Sequence, residues 1–237
     1  MGERTNELGQ PIGFDVPDWS ACLPPPKAVM QGRTCRIEPI DPERHAAALF
    51  DANGADAEGG MWTYMNHGPF DALADYRAWM EASCLGDDPL FHAIIDEADG
   101  QAKGIAAYLR IEPGVGVIEV GSIAYAPVLQ RSSIATEVMY LMMRRVFDEL
   151  GYRRYEWKCD ALNAPSRVAA LRLGFKYEGI FEQATMYKGR NRDTAWYAIT
   201  NQRWPAVKAA FEAWLAPENF DAAGQQVESL GAFMVTQ

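Results

Sequence analysis

Residues 117–182 read VIEVGSIAYAPVLQRSSIATEVMYLMMRRVFDELGYRRYEWKCDALNAPSRVAALRLGFKYEGIFE. The apolar run Val117–Tyr125 has the length of a buried strand, and Pro127 ends it. Ser132 or Ser133 then stands where a helix N-cap is wanted. Ile134, Val138, Leu141, Met142, Val146 and Leu150 follow at helical period, and Gly151 lies just past the end, where a left-handed residue closes a helix. Tyr155, Trp157 and Cys159 alternate with Arg154, Glu156 and Lys158, the pattern of a half-buried strand. Asn163 can cap a second helix, which Gly174 closes, and residues 175–186 return to a strand. The stretch therefore predicts strand, helix, strand, helix, strand.

Residues 34–40, upstream, alternate as a first strand. Asp41-Pro42 opens a helix that Asn53-Gly54 ends. An aromatic segment, Met61-Trp62-Thr63-Tyr64-Met65-Asn66-His67-Gly68-Pro69-Phe70, precedes a helix expected over 71–84. Residues 91–96 and 104–111 are apolar runs joined by a turn at Asp99-Gly100, which signals a hairpin. Downstream, residues 194–200 predict a last strand, 205–215 a helix, and the remainder a tail. The basic segment from Lys188 to Asp193 should turn between the last two strands, with Asp193 available to pair an arginine. Residues 1–31 contain Pro24-Pro25-Pro26 and no period; they read as an irregular arm, ordered if Phe14, Trp19 or Leu23 finds a groove. The organisation expected is thus an arm over 1–31, a domain over 32–203, and a C-terminal helix and tail over 204–237. Periodicity by itself supports a mixed α/β fold.

The two helix starts matter chemically. Unpaired N–H groups and the positive end of the helix dipole suit a pyrophosphate. Gln130-Arg131-Ser132-Ser133-Ile134-Ala135-Thr136 lies at the first. Asn163-Ala164-Pro165-Ser166 lies at the second, followed by Leu173-Gly174-Phe175 and Glu178-Gly179. This combination resembles the GNAT superfamily of N-acetyltransferases, and within it the ribosomal-protein N-terminal acetyltransferases of the RimJ/RimL type. The resemblance implies the GNAT fold, a central mixed, largely antiparallel sheet flanked by helices. It implies acetyl-CoA as co-substrate and no metal. It places the coenzyme pyrophosphate on Gln130, Arg131, Ser132, Ser133, Ile134, Ala135 and Thr136. It places the pantetheine on Asn163 and the backbone around Ile123, and Ser166 near the coenzyme sulfur as a donor to the departing thiolate. Ser133 stands where the family carries a glycine, which departs from the pattern.

Amide formation also needs a group to take the proton of the attacking amine. In the ribosomal-protein branch a glutamate follows a Gln-Ala pair on the penultimate strand. Here Gln183-Ala184 is followed by Thr185. Glu119 is the substitute: it lies in the strand before the coenzyme loop, on a face with Gly121 and Ile123. A salt bridge to Arg110 or Arg172 is the structural alternative for so costly a residue in an apolar strand. Glu182, Asp160 and His67 are further candidates. Trp62, Tyr64, His67 and Trp196 are expected to wall the acceptor site.

Composition narrows the partners. The formal net charge of −10 argues against nucleic acid, which is bound through Lys/Arg patches. No apolar run nears the ~20 residues of a membrane helix, and no signal peptide is evident. The four scattered cysteines fit reduced thiols in the cytoplasm, and the three histidines have no metal-ligand spacing. The acceptor is then a small-molecule amine or a protein N-terminus, and a homodimer is compatible with the reading. A non-catalytic coenzyme-A-binding protein is the alternative, supported by Ser133 and Thr185.

Overall fold

A computed structural model describes residues 4–234. A short hairpin of β1 (Arg4–Thr5) and β2 (Pro11–Ile12) stands apart. The remaining strands are β3 (Met30–Gln31), β4 (Cys35–Pro39), β5 (Leu90–Asp96), β6 (Ala102–Glu112), β7 (Val117–Tyr125), β8 (Arg154–Asp160), β9 (Lys176–Tyr187) and β10 (Arg190–Thr200). They form one sheet in the order β3-β4-β5-β6-β7-β8-β10-β9. Only β7 and β8 run parallel; the other pairs are antiparallel. The helices are α1 (Pro42–Asn53), α2 (Leu73–Ser83), α3 (Ser133–Arg144), α4 (Ala164–Arg172), α5 (Trp204–Leu215) and α6 (Leu230–Met234).

Two apolar cores flank the sheet. One joins α3, α4 and α5 to Ile118, Val120, Tyr155, Trp157 and Tyr197. The other packs α1 and α2 on Ile95, Ile105 and Ala107. This second core takes residues from β5, β6 and β7 but none from β8 to β10. The far half of that face therefore carries other groups, among them Lys158 and Trp196.

The local causes are those of the sequence. Asp41 caps α1 through the N–H groups of Glu43 and Arg44, and Gly151 and Gly174 take the left-handed conformation after their helices (φ 72° and 89°). Four expectations need correction. The helix expected to continue to residue 150 closes as a wider turn over Arg145–Glu149. The last strand begins at Arg190, which shortens the basic turn to Lys188-Gly189. The residues after α5 are not a free tail: Asn219 and Leu230 are buried, and Asn219 holds the carbonyls of Trp214 and Glu228. Met30–Gln31 joins the sheet edge, two residues before the expected boundary. Trp19 does find a groove. Its indole donates to the Gly114 carbonyl at 2.8 Å, and Arg153 lies over its ring.

His92 on β5 is fully buried against Tyr108. Burial first, then the charge of Arg145, holds its pKa down to about 4. An unfolded histidine titrates near 6.5. Between these values the unfolded chain binds a proton that the folded chain refuses, so stability falls as pH drops from about 6.5 toward 4, by up to ~3 kcal/mol. Comparing urea unfolding of wild type and His92→Phe across this window isolates the term. Wild type should lose up to ~3 kcal/mol of stability relative to His92→Phe across this window; parallel curves would show that His92 contributes nothing to the pH dependence.

Candidate functional site

The site begins where two strands part. β7 and β8 pair only from Val117↔Arg154 to Val120↔Trp157, although both strands continue. Residues 121–125 are thus paired to β6 on one edge and open on the other. A bulge marks the parting. Between Ala107↔Gly121 and Ile105↔Ala124, β7 carries one residue more than β6, and Ser122 adopts φ 48°. A bulge bends its strand and increases its twist, which separates β7 from β8. It also changes which face each side chain takes. Glu119 and Gly121 stay together, but Ile123 turns to the α3 side and packs on that core. The expectation that Ile123 shares the face of Glu119 fails for this reason.

The open edge leads into the start of α3. Ser132 is the cap: its Oγ accepts from Ala135 N at 3.1 Å and donates to the Leu129 carbonyl at 2.7 Å. Gln130 folds back, its Nε2 donating to the Tyr125 carbonyl at 2.9 Å. Arg131 is the left-handed residue of the loop (φ 60°). Ser133 is the first helical residue and has no positive φ, so glycine is not needed there for its backbone freedom. Among the described residues, the N–H groups of Ser133 and Ile134 have no acceptor. The Thr136 side chain is buried and accepts from Arg172 at 3.1 Å. Thr136 therefore supports the helix start from behind.

Across the opening stands the start of α4. Asn163 Oδ1 accepts from Ser166 N at 3.1 Å, a helix cap. The indole Nε1 of Trp157 donates to Ser166 Oγ at 3.0 Å. Cys159, on the same side of β8, is buried, and burial pushes its thiol up.

On the opposite sheet face, Glu119 is 2% exposed. Its Oε2 lies 2.7 Å from Arg110 and 2.8 Å from Lys158, while Lys158 is 2.7 Å from Glu156. The ion pair to Arg110 is the structural alternative that the sequence offers, and Lys158 adds a second cation to it. Burial raises the Glu119 carboxyl, and the two cations only partly oppose it. Oε1 lies beside Gly121, 3.4 Å from where a Cβ would sit. Alternation along β8 sets Lys158 on the polar row of that strand, yet its side chain is only 7% exposed and lies 3.8 Å from the Trp196 ring centroid. Alternation along β8 cannot reveal a cover supplied by β10.

The aromatic segment meets this corner without forming one wall. Trp62 is buried in the α1–α2 core against Phe70 and His67. Tyr64 reaches the other way, its hydroxyl donating to the Leu162 carbonyl at 3.1 Å, next to Asn163. His67 stacks on Trp79 with centroids 4.1 Å apart. Burial first, then Lys188, holds His67 down to about 4. Trp196 stacks on Phe181 at 4.4 Å. The turn between β9 and β10 braces the segment: Lys188 donates to the Trp62 carbonyl at 2.8 Å and Arg190 to that of Thr63 at 2.6 Å. Asp193 pairs no arginine. Its Oδ1 accepts from Gln183 N and Asn191 Nδ2 at 2.8 and 2.9 Å, because it closes the irregular β9–β10 pairing locally. Glu182 and Thr185 are exposed on the edge strand β9, while Asp160 is engaged by Leu162 N and the Tyr187 hydroxyl.

A helix-flanked sheet with one parallel pair that splays beside a capped helix is the frame of an acyltransferase fold. Residues 35–176 match the family model described as acetyltransferase (GNAT) domain. A GCN5-related N-acetyltransferase from Brucella melitensis is 45% identical, with TM-score 0.90 over 92% of this chain and 99% of that one. A probable acetyltransferase of the GNAT family from Chromobacterium violaceum is 34% identical, with TM-score 0.77 over 83% and 98%. At 18% identity, an acetyltransferase from Salmonella typhimurium that modifies the N-terminal serine of ribosomal protein L7/L12 shares the fold, with TM-score 0.60 over 73% and 99%. No curated protein matches the chain. The chain belongs to the GNAT acetyltransferase family. Among the described residues no helix is long and apolar enough to cross a membrane, and no group of three His, Cys, Asp or Glu is placed to hold a metal.

Proposed function

We propose that this chain is a cytoplasmic enzyme that moves the acetyl group of acetyl-CoA to the primary amine of a small molecule, by direct transfer in a ternary complex. The unpaired edge of residues 121–125, running into the open N–H groups at the start of α3, carries this reading. A pantetheine arm is extended and bears amides, so it can pair with a free strand edge as a further strand does. The backbone around Ile123 then holds the arm and orients the thioester. The pyrophosphate lies on residues 130–136, against Ser133 N and Ile134 N and the positive end of α3. Asn163 meets the pantetheine, and Ser166 gives its proton to the departing thiolate. Glu119 takes the proton of the amine through Oε1, the oxygen that the cations leave free.

Direct transfer is supported by Cys159. A thiol pushed up by burial is a poor nucleophile. The motifs at Asn163 and Gly174 support a place near the RimJ/RimL branch, and Thr185 departs from it. A protein N-terminus needs an open groove; Lys188 and Arg190 tie the aromatic segment across this corner, which favours a small acceptor. The ordinary helical position of Ser133 weakens the non-catalytic alternative. Release of free thiol from acetyl-CoA across a panel of amines tests the reading directly; an inactive protein with normal coenzyme binding would favour the alternative.

Coenzyme binding has its own check. A ligand that binds only the folded chain adds RT ln(1 + [L]/Kd), about 2.7 kcal/mol at a hundredfold excess over Kd. Acetyl-CoA should raise the melting temperature by several degrees. No shift at millimolar acetyl-CoA would leave the open strand edge without a ligand.

A further inference from the structure

We infer that the amine accepted at this site carries its own anionic group, held by Arg192. The inference rests on the acetyl-transfer reading above and adds a substrate class to it. The chain has a net charge of −10, yet β10 and its turn place Lys188, Arg190 and Arg192 at alternate positions. Among the described residues none of the three has a carboxylate partner. Lys188 and Arg190 are occupied by the carbonyls of Trp62 and Thr63. Arg192 is different: its Nε is buried and meets no acceptor, and the same holds for Trp196 Nε1. Buried donors are nearly always satisfied, and Arg192 Nε is left open to an acceptor from outside the chain.

The neighbouring carboxylates cannot supply it. Asp160 is taken by Leu162 N at 2.8 Å and the Tyr187 hydroxyl at 2.7 Å. Asp193 is taken by Gln183 N and Asn191. Glu119 is taken by Lys158 and Arg110. Position is equally specific. Thr194 is in register with Asp160, the last residue of β8, so Arg192 lies two residues past that strand's end. There Ala161 N donates to the Asp193 carbonyl at 2.8 Å, in the turn that leads to Asn163 and Ser166. The Arg192 guanidinium sits 5.9 Å from the Tyr187 ring centroid. A planar guanidinium offers paired donors that match a carboxylate or a phosphate. A polyamine would bring several positive charges to a corner where Lys188, Arg190 and Arg192 have no carboxylate partner among the described residues, and like charges at an interface are disfavoured. An amino-acid-like acceptor, amine at one end and anion at the other, satisfies both.

The test uses the full chain, acetyl-CoA and matched acceptors: alanine, aspartate and phenylalanine, their carboxamides, 2-aminoethyl phosphate and spermidine. The anionic acceptors should exceed the amides and spermidine in kcat/KM by at least about tenfold, and the phosphate arm tells which anion is preferred. Arg192→Ala should raise KM for the anionic acceptors by roughly tenfold to a hundredfold and leave the amides within about twofold, with Arg192→Lys recovering part of the loss. Equal rates for acids and amides, or a loss in Arg192→Ala common to both, would overturn the inference and leave acetyl transfer standing. A chain that releases no thiol with any amine would instead overturn acetyl transfer. The anion site is then judged by ligand-observed NMR with N-acetylalanine and N-acetylaspartate: binding weakened by Arg192→Ala supports it, and binding that is absent or unchanged by that substitution ends it.

Discussion

Glu119→Gln should lower kcat by a hundredfold or more while acetyl-CoA binds with unchanged affinity. A positioned general base contributes about 10²- to 10⁴-fold, and an amide side chain cannot accept the amine proton. The environment makes Glu119 suited to the task. Burial raises its carboxyl, which strengthens it as a base, while Arg110 and Lys158 keep it from rising further. Both cations lie on Oε2, so Oε1 remains available beside Gly121 at the point where the strands separate. The pH profile supplies the second readout. A base must be deprotonated to act, so wild-type activity falls as pH drops through the pKa of Glu119. That acidic limb should vanish in Glu119→Gln.

The fold should survive the substitution. Lys158 keeps its contact with Glu156 at 2.7 Å, and the Arg110 side chain is 59% exposed and remains solvated. Glutamine retains the shape and leaves no buried anion unpaired. Near-normal turnover would make Glu119 a structural anchor for Lys158 and Arg110, and would pass the proton to water or to His67. His67 is neutral at pH 7, since burial holds it at about 4, and so has an unprotonated nitrogen for that role.

The fold was legible from residues 117–182 because each boundary there has a local cause. Ser132, Gly151, Asn163 and Gly174 start or stop elements by hydrogen bonds and backbone angles that involve near neighbours. The two helix starts proposed to meet the coenzyme were legible for the same reason. What escaped depends on contacts between distant segments. Alternation put Ile123 with Glu119, but a bulge set by the pairing of β6 and β7 moved it. Lys158 reads as a solvated lysine until Trp196, 38 positions later, is laid across it. Trp157 reads only as a core residue, and nothing in its own strand shows that its indole reaches Ser166. The strand pattern over 175–186 carries no sign that β9 is an edge, where Phe181 and Met186 are exposed.

Ser166→Ala should lower kcat by roughly tenfold to a hundredfold, the low end of what a positioned acid supplies, because a thiolate is already a fair leaving group. The geometry explains why this hydroxyl keeps a proton to give, toward the Cys159 sulfur or an incoming thiolate. An indole N–H is a donor and never an acceptor. Trp157 Nε1 donates to Ser166 Oγ at 3.0 Å, which fills a lone pair and leaves the O–H to point elsewhere. The site lies in the first turn of α4, where the helix dipole favours negative charge. Trp157 is thus a positioning residue, acting through Ser166. Trp157→Phe keeps a ring against Phe175, whose centroid is 5.6 Å away, and removes the donor. It should lower kcat more modestly than Ser166→Ala. Combining the two should cost no more than Ser166→Ala alone, since residues that act as one unit are not additive. The competing account makes Ser166 a first-turn residue and Trp157 core packing. Asn163 keeps the cap in either case, because it accepts from the backbone N–H of residue 166 and not from its hydroxyl. Steady-state kinetics and thermal melting of the two single variants and the double variant decide between them. Rate losses that multiply, or melting temperatures that fall while kcat holds, would leave the Trp157–Ser166 contact purely structural.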